Sequence, residues 1–314
     1  MKVILPGGSG NIGYALVRAL AREGHECVVL TRDPAKVSAP ARGVIWDGRT
    51  LGPWAAEIDG AHAVINLAGR SVDCRYDEKH LAEMMNSRVD STRVVGAAIA
   101  AAQHPPHVWL QAGTATVYGH RYDAANDEAT GLIGDPPGVP ALWVRSVDLG
   151  LKWEAAQASV VTPRTRQVVL RTSLVMGPAC GAVFSVMAGL ARLGVGRLGD
   201  GRQYVSWIHE EDFNAAIRFL IVRDDLAGAF NLCAPHPLPN RDFMAALHRA
   251  VGMPFSLPVP EWALEIGAFF RRTETELLLK SRRVVPGRLL AAGFEFRHPH
   301  WPEAAADLVG RMTT

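Results

Sequence analysis

With 314 residues, 33 Lys and Arg against 31 Asp and Glu, and a formal net charge of +2, the chain can bury a sizeable core and carries no charge excess that would advertise nucleic acid or a membrane surface as partner. Cys27, Cys74, Cys180 and Cys233 are scattered with no C-x-x-C pair, so neither a disulfide framework nor a cysteine metal site is expected, and they read as reduced cytosolic thiols. The first strand candidate begins at residue 3, which leaves no room for a signal peptide, and no apolar run approaches the roughly eighteen residues of a membrane helix; a cytoplasmic location is the expectation.

Val3 to Leu5 is a short apolar strand that runs into Gly7, Gly10 and Gly13, with Asn11 and Ile12 between the last two. A helical stripe of Leu16, Val17 and Leu20 follows, closed by Gly24. Strand, glycine turn and helix in that order form a cradle for a dinucleotide. Gly7 permits the tight turn, Gly10 lets the backbone approach a pyrophosphate, Gly13 lets helix and strand pack closely, and the helix N-terminus offers unpaired N–H groups. A second strand, Cys27 to Leu30, ends at Thr31-Arg32, about 20 residues after the glycines, where such units contact the adenosine ribose. A carboxylate there would accept from a free 2′-hydroxyl and repel a 2′-phosphate. The Arg32 guanidinium reverses that preference, a charge-assisted hydrogen bond being worth roughly 1.5 to 3 kcal/mol. NADP(H) is therefore the expected cofactor, the alternative being that Arg32 is a solvated loop residue. Asp33-Pro34 beside it reads as a turn and helix start.

Further strands are expected at Val44 to Asp47, Ala63 to Gly69, Val108 to Ala112 and Val168 to Val175, with a long helix from Glu83 to Ala102. This alternation predicts an α/β fold, a doubly wound parallel sheet of the Rossmann kind. Ligands in such sheets lie beyond the carboxyl ends of the strands, which places Asp47, Leu67, Ala68, Gly69 and Thr114 around one cavity. Asp47 either accepts from an adenine amino group or is a strand-end turn residue. Residues 1–177 form the dinucleotide domain, with 206–232 returning to it. Residues 178–205 and 233–314 build a smaller C-terminal α/β lobe on the substrate side, with amphipathic stretches at Phe243 to Val251, Trp262 to Phe270 and Glu274 to Arg283. Arg271-Arg272 and Arg282-Arg283 read as solvated helix faces, and Arg202 and Trp207 face either substrate or solvent. His209 and Asp212 are expected to orient a turn and cap a helix from Asp212 to Leu220. No H-E-x-x-H or G-x-S-x-G occurs, so neither a metal nor an acyl-transfer triad is expected.

Gly7 to Gly13, Asn66 to Gly69, Thr114 to Gly119 and Ser206 to Asp212 resemble the extended short-chain dehydrogenases/reductases of the nucleotide-sugar epimerase type. Together with Ser87-Arg88, Lys152 to Ala156, Gly199 to Gln203 and Gly293 to Phe296, they are similar to an atypical branch, family 39U, epimerase-like proteins with a C-terminal domain of unknown function. The resemblance implies an NADP(H) site at the three glycines, Thr31, Arg32, Leu67, Ala68, Glu83, Arg88 and Val175. In it Glu83 accepts from ribose and Arg88 reaches phosphate or ribose oxygens, the alternative for both being the helix surface. Where relatives carry a Tyr-x-x-x-Lys pair for proton exchange, this chain has Ser146 and Gly150, and none of its five tyrosines is followed four positions later by lysine. Lys152 stands two residues, roughly 200°, round the helix from Gly150 and reads as surface. Thr114, at the place of the Ser or Thr that hydrogen-bonds the reacting oxygen, is the expected catalytic residue; otherwise it caps its strand. Two functions stay open. One is an NADP(H)-dependent oxidoreductase or epimerase-like enzyme acting on a small carbonyl, hydroxyl or sugar-nucleotide substrate; the other is a non-catalytic NADP(H)-binding regulatory or structural protein. The expected partner is a small molecule, with no nucleic acid or membrane, and a homodimer stays open.

Overall fold

The computed structural model describes residues 1–180, 182–264 and 276–312. Runs rich in Val, Ile and Leu form the strands β1 (Lys2–Pro6), β2 (Glu26–Thr31), β3 (Arg42–Ile45), β4 (Ala63–Asn66), β5 (Val108–Thr114) and β6 (Arg166–Thr172). The central β1, β2 and β4 are buried on both faces, as a parallel sheet covered by helices requires, while the edge strand β3 stays partly exposed. The expected sixth strand, 168–175, is cut at Ser173, whose N–H and Oγ both donate to the Leu232 carbonyl. Its second part becomes β7 (Leu174–Met176), which leaves the sheet, after a segment leading to β8 (Val195–Leu198), to pair with β10 (Trp207–His209), just beyond β9 (Tyr204–Val205). The sheet is completed by β11 (Gly228–Leu232), so that seven parallel strands stand in the order β3-β2-β1-β4-β5-β6-β11. The order reverses between β1 and β4, and the crevice beyond their carboxyl ends is where such a sheet binds ligands.

Helix α1 (Asn11–Arg22) buries Gly13, Leu16, Val17 and Leu20 against the sheet. Helix α2 (Glu78–Ala101) begins five residues before the expected Glu83, because Asp77 caps it by accepting from the His80 N–H at 2.7 Å. It packs on α3 (Ala141–Ala158), where Lys152 is exposed and pairs with Asp148 at 2.8 Å.

In the C-terminal half, α4 (Ala182–Arg192) precedes β8, which pairs with β13 (Leu257–Val259), while β9 pairs with β12 (Leu238–Pro239). Helix α5 (Glu210–Val222) starts two residues before Asp212, and its cap is His209, whose Nδ1 accepts from the Glu211 N–H. Asp212 is instead buried and accepts from the Arg297 and His298 N–H groups, tying the last segment to α5. Helix α6 (Asn240–Ala250), α7 (Glu276–Leu279), α8 (Gly287–Ala291) and α9 (Trp301–Arg311) follow among the described residues. Trp207 is no surface group: it is fully buried against Trp301, which stacks on Phe243 with ring centroids 3.9 Å apart. Arg282 is likewise buried, and Arg283 lies over the Tyr204 ring, so that pair is not a solvated helix face. Arg271-Arg272 and most of the Trp262 to Phe270 stretch lie outside the described residues. Among the described residues no helix is long and apolar enough to cross a membrane.

Candidate functional site

At the reversal between β1 and β4 a cavity of about 940 Å³ brings together Gly7, Gly10, Thr31, Arg32, Asp47, Leu67, Ala68, Gly69 and Glu83. The loop after β1 reaches it through two backbone bonds: Gly7 N–H donates to the Leu30 carbonyl and Leu67 N–H to that of Pro6. The glycines differ in what they do for the protein. Gly7 has φ +74°, and a methyl group on it would come 2.7 Å from Ala68 N and Cα. One on Gly13 would come 2.5 Å from Gly8 Cα. Gly10 has an ordinary extended conformation and only the Gly7 carbonyl oxygen, at 3.5 Å, near its absent side chain. Nothing among the described residues needs a glycine there, whereas a ligand approaching the start of α1 does.

Thr31 is buried, and its Oγ1 lies 3.0 Å from Ser9 Oγ, which locks the glycine loop to the end of β2. Arg32 is exposed and makes no hydrogen bond or ion pair among the described residues, while Asp33 is occupied by Lys36 at 3.3 Å. The cationic side chain is thus free and the acidic one is spoken for. Asp47 accepts from the Arg49 and Thr50 N–H groups and from Thr50 Oγ1, bonds that hold its pKa down at about 2, so its turn role is realised while it still lines the cavity. Glu83 pairs with Arg70 across the mouth.

Arg88, Thr114, Asn11, Ile12, Gly13 and Val175 stand outside the cavity wall. Arg88 is not on the helix surface: it is 8% exposed, over the Trp153 ring and behind Gly69, where a methyl group would come 3.2 Å from its Cγ and Cζ. Its Nη1 donates to the Met84 carbonyl, its Nε has no hydrogen-bond partner among the described residues, and burial lowers its pKa to about 10, which leaves it cationic at neutral pH. Asn11 opens α1 on the surface, Ile12 is half-buried there, and Val175 on β7 is part of the sheet's core.

Thr114 Oγ1 accepts from the Thr116 N–H at 3.1 Å, so it caps the turn after β5. It also faces α3, since a methyl group on Gly150 would come 2.9 Å from its Cγ2. One turn earlier on α3, Ser146 Oγ lies 2.5 Å from Glu276 Oε2. Beside them the fully shielded pair Lys280 and Asp135, 2.7 Å apart, is anchored to the Thr116 carbonyl. Glu276, Lys280 and Asp135 were missed from the sequence because no local pattern marks them; the only signal was that Ser146 stands where a proton donor is expected.

The NAD dependent epimerase/dehydratase family model matches residues 3–233, and a domain of unknown function, DUF1731, matches residues 259–308. The epimerase family protein SDR39U1 of Bos taurus is 32% identical over 314 residues, covering 98% of this chain and 100% of that protein. A crystal structure of human SDR39U1 (isoform2) with NADPH superposes with a TM-score of 0.85 at 29% identity, covering 99% of both chains. MoeE5 in complex with UDP-glucuronic acid and NAD, at 19% identity and a TM-score of 0.76 over the whole of both chains, shares the fold.

Proposed function

The chain belongs to the NAD dependent epimerase/dehydratase family, and from that premise we propose that it is an NADP(H)-dependent oxidoreductase or epimerase-like enzyme acting on a small carbonyl, hydroxyl or sugar-nucleotide substrate. The observation that carries the cofactor reading is the cavity in which Gly10 leaves room at the start of α1 and Arg32 stands without a partner among the described residues. The residues fit a phosphorylated dinucleotide: N–H groups from Asn11 and Ile12 at the helix N-terminus for the pyrophosphate, the Gly10 N–H being engaged by the Gly7 carbonyl, and Arg32 beside Thr31 for the 2′-phosphate. Leu67, Ala68 and Gly69 form the floor and Glu83 accepts from ribose. The orphaned Nε of buried Arg88 is a donor seeking an anion, since an isolated buried charge is costly. Val175 packs in the core and backs the site without lining the cavity. The NADPH in the human relative supports the same reading.

When bound, the cofactor supplies hydride chemistry, and the protein's part is to orient and to handle the proton. Thr114 orients the reacting oxygen from the end of β5. Residues 178–205 and 233–314 serve as the substrate-side lobe, which supplies Glu276 and Lys280 next to that point. NADPH consumption across a panel of aldehydes, ketones and sugar nucleotides tests the proposal. Turnover is expected with at least one class, falling on the order of 10²-fold in Thr114→Ala, as when one donor to a reacting oxygen is lost. NADPH binding without turnover of any member would favour the non-catalytic reading, to which the engaged hydroxyls of Thr114 and Ser146 also lend weight.

A further inference from the structure

Thr114 ends β5 against Gly150 of α3, whose bare backbone lets the helix close on it. Ser146 stands one turn earlier on the same helix, and neither hydroxyl is acidic enough to deliver a proton unaided. Behind Ser146 stands a carboxyl group from the C-terminal lobe: Glu276 Oε2 is 2.5 Å from Ser146 Oγ, and the Glu276 residue is only 3% exposed. Its other oxygen, Oε1, has Arg282 Nη2 at 3.4 Å, a longer contact than the one Oε2 makes with the serine. Resting on the oxidoreductase reading above, we propose that Glu276 and Ser146 are the proton-delivery pair of this site, Glu276 Oε2 storing the proton and Ser146 Oγ presenting it to the substrate oxygen beside Thr114.

The step balances for carbonyl reduction. The carbonyl carbon gains a hydride as the C=O π bond breaks, the reduced nicotinamide being the donor that is oxidised. The substrate oxygen takes the proton from Ser146 Oγ, Ser146 regains one from Glu276 Oε2, and the resulting carboxylate is reprotonated from water. In the oxidation direction the same protons move backwards. Ser146 is the group that touches substrate, and Glu276 acts through it.

The surroundings suit a proton store. Burial raises the Glu276 pKa, opposed by Arg282 on the same segment, by the hydrogen bond from Ser146 on α3, and by Lys280, while Asp135 adds to the rise. Tyr76, from the segment before α2, is close enough that Glu276 raises its pKa further, so the phenol stays neutral beside the acid. Because the folded-state pKa lies above the unfolded value, the folded protein holds the extra proton at pH values just above the ordinary glutamate range near 4.3.

Infrared difference spectra recorded during pH titration of the full chain test the pair without substrate. The wild type is expected to show a protonated-carboxyl band persisting above that ordinary range and absent from Glu276→Gln, with Ser146→Ala shifting its frequency. Identical carboxyl spectra in wild type and Glu276→Gln would overturn the proposal. If Glu276→Gln does not fold, a carboxyl band unmoved in Ser146→Ala overturns it instead. NADPH titration runs alongside: both variants are expected to bind NADPH as the wild type does. A wild type that fails to bind NADPH sinks the cofactor reading while leaving the carboxyl result to stand on its own. With a turned-over substrate, each variant should lose roughly 10²- to 10⁴-fold in kcat. The pH limb belonging to Glu276 should vanish in Glu276→Gln; a limb that stays refutes the pair.

Discussion

Replacing Gly10 with alanine separates binding from folding at the glycine turn. Its backbone, at φ −75° and ψ 169°, suits any residue, and a methyl group would meet only the Gly7 carbonyl oxygen at 3.5 Å, an ordinary contact. The substitution should gain roughly 0.4 to 1 kcal/mol from a less disordered unfolded chain and lose up to about 1 kcal/mol because alanine is a poorer N-cap than glycine. The net effect on stability is therefore within about 1 kcal/mol of zero. Gly7→Ala is the contrast: its φ of +74° costs about 1 to 2 kcal/mol for an L side chain. The methyl group would also press to 2.7 Å on the Ala68 backbone, adding about 1 to 3 kcal/mol. In the bound state the order reverses for Gly10. A methyl group in space meant for a pyrophosphate costs about 1 to 3 kcal/mol, which is roughly 5- to 150-fold in affinity. Urea unfolding and NADPH fluorescence titration on the two variants measure both sides. Gly10→Ala binding NADPH as tightly as the wild type, or unfolding as readily as Gly7→Ala, would refute the reasoning.

Two further outcomes concern buried ionisable groups packed against the C-terminal lobe. His209 is fully buried, stacked on His298 with centroids 3.7 Å apart, with Asp307 Oδ2 3.1 Å from its Nε2; burial, then the neighbouring His298, lowers its pKa to about 4. The folded state binds this proton less readily than the unfolded state, whose value is near 6.5, so stability is full above that pH and falls as pH drops towards 4. The loss should amount to about 3 kcal/mol, by urea unfolding at stepped pH, and should be absent in His209→Gln. Lys280→Met would strand the Asp135 carboxylate in a fully shielded position and should cost about 3 to 5 kcal/mol. Lys280→Met with Asp135→Leu should recover most of it in thermal unfolding, and equal losses in both would show the pair is not what matters.

The strand, glycine turn and helix, and the place of Arg32 at the cavity edge, were legible in the sequence because they are set by residues adjacent in the chain. Asp47, Leu67, Ala68 and Gly69 line the cavity as the rule that parallel strands end at the ligand edge leads one to expect, whereas Thr114, placed by the same rule, does not. Arg88 was ambiguous for a physical reason: whether a helical arginine faces solvent depends on Gly69 and Trp153, which lie on other elements. Trp207 and Arg282 were misread in the same way, since the partners that bury them, Trp301 and Glu276, sit on segments whose docking no local pattern reveals. The strand-like stretch from Val168 to Val175, apolar on both sides of Arg171-Thr172-Ser173, hid the break at Ser173, which exists because β10 rather than the sheet takes up β7. Ser146 and Glu276 meet across 130 positions of chain, a contact that only the folded lobe creates.

The most direct measurement is the pair of dissociation constants for NADPH and NADH, determined side by side on the wild type and on Arg32→Ala. With the free Arg32 guanidinium meeting the 2′-phosphate, NADPH should bind tenfold or more tightly than NADH, by the roughly 1.5 to 3 kcal/mol of a charge-assisted hydrogen bond. The preference should collapse in Arg32→Ala. Equal affinity of the wild type for the two cofactors, or a preference untouched by the substitution, would contradict it.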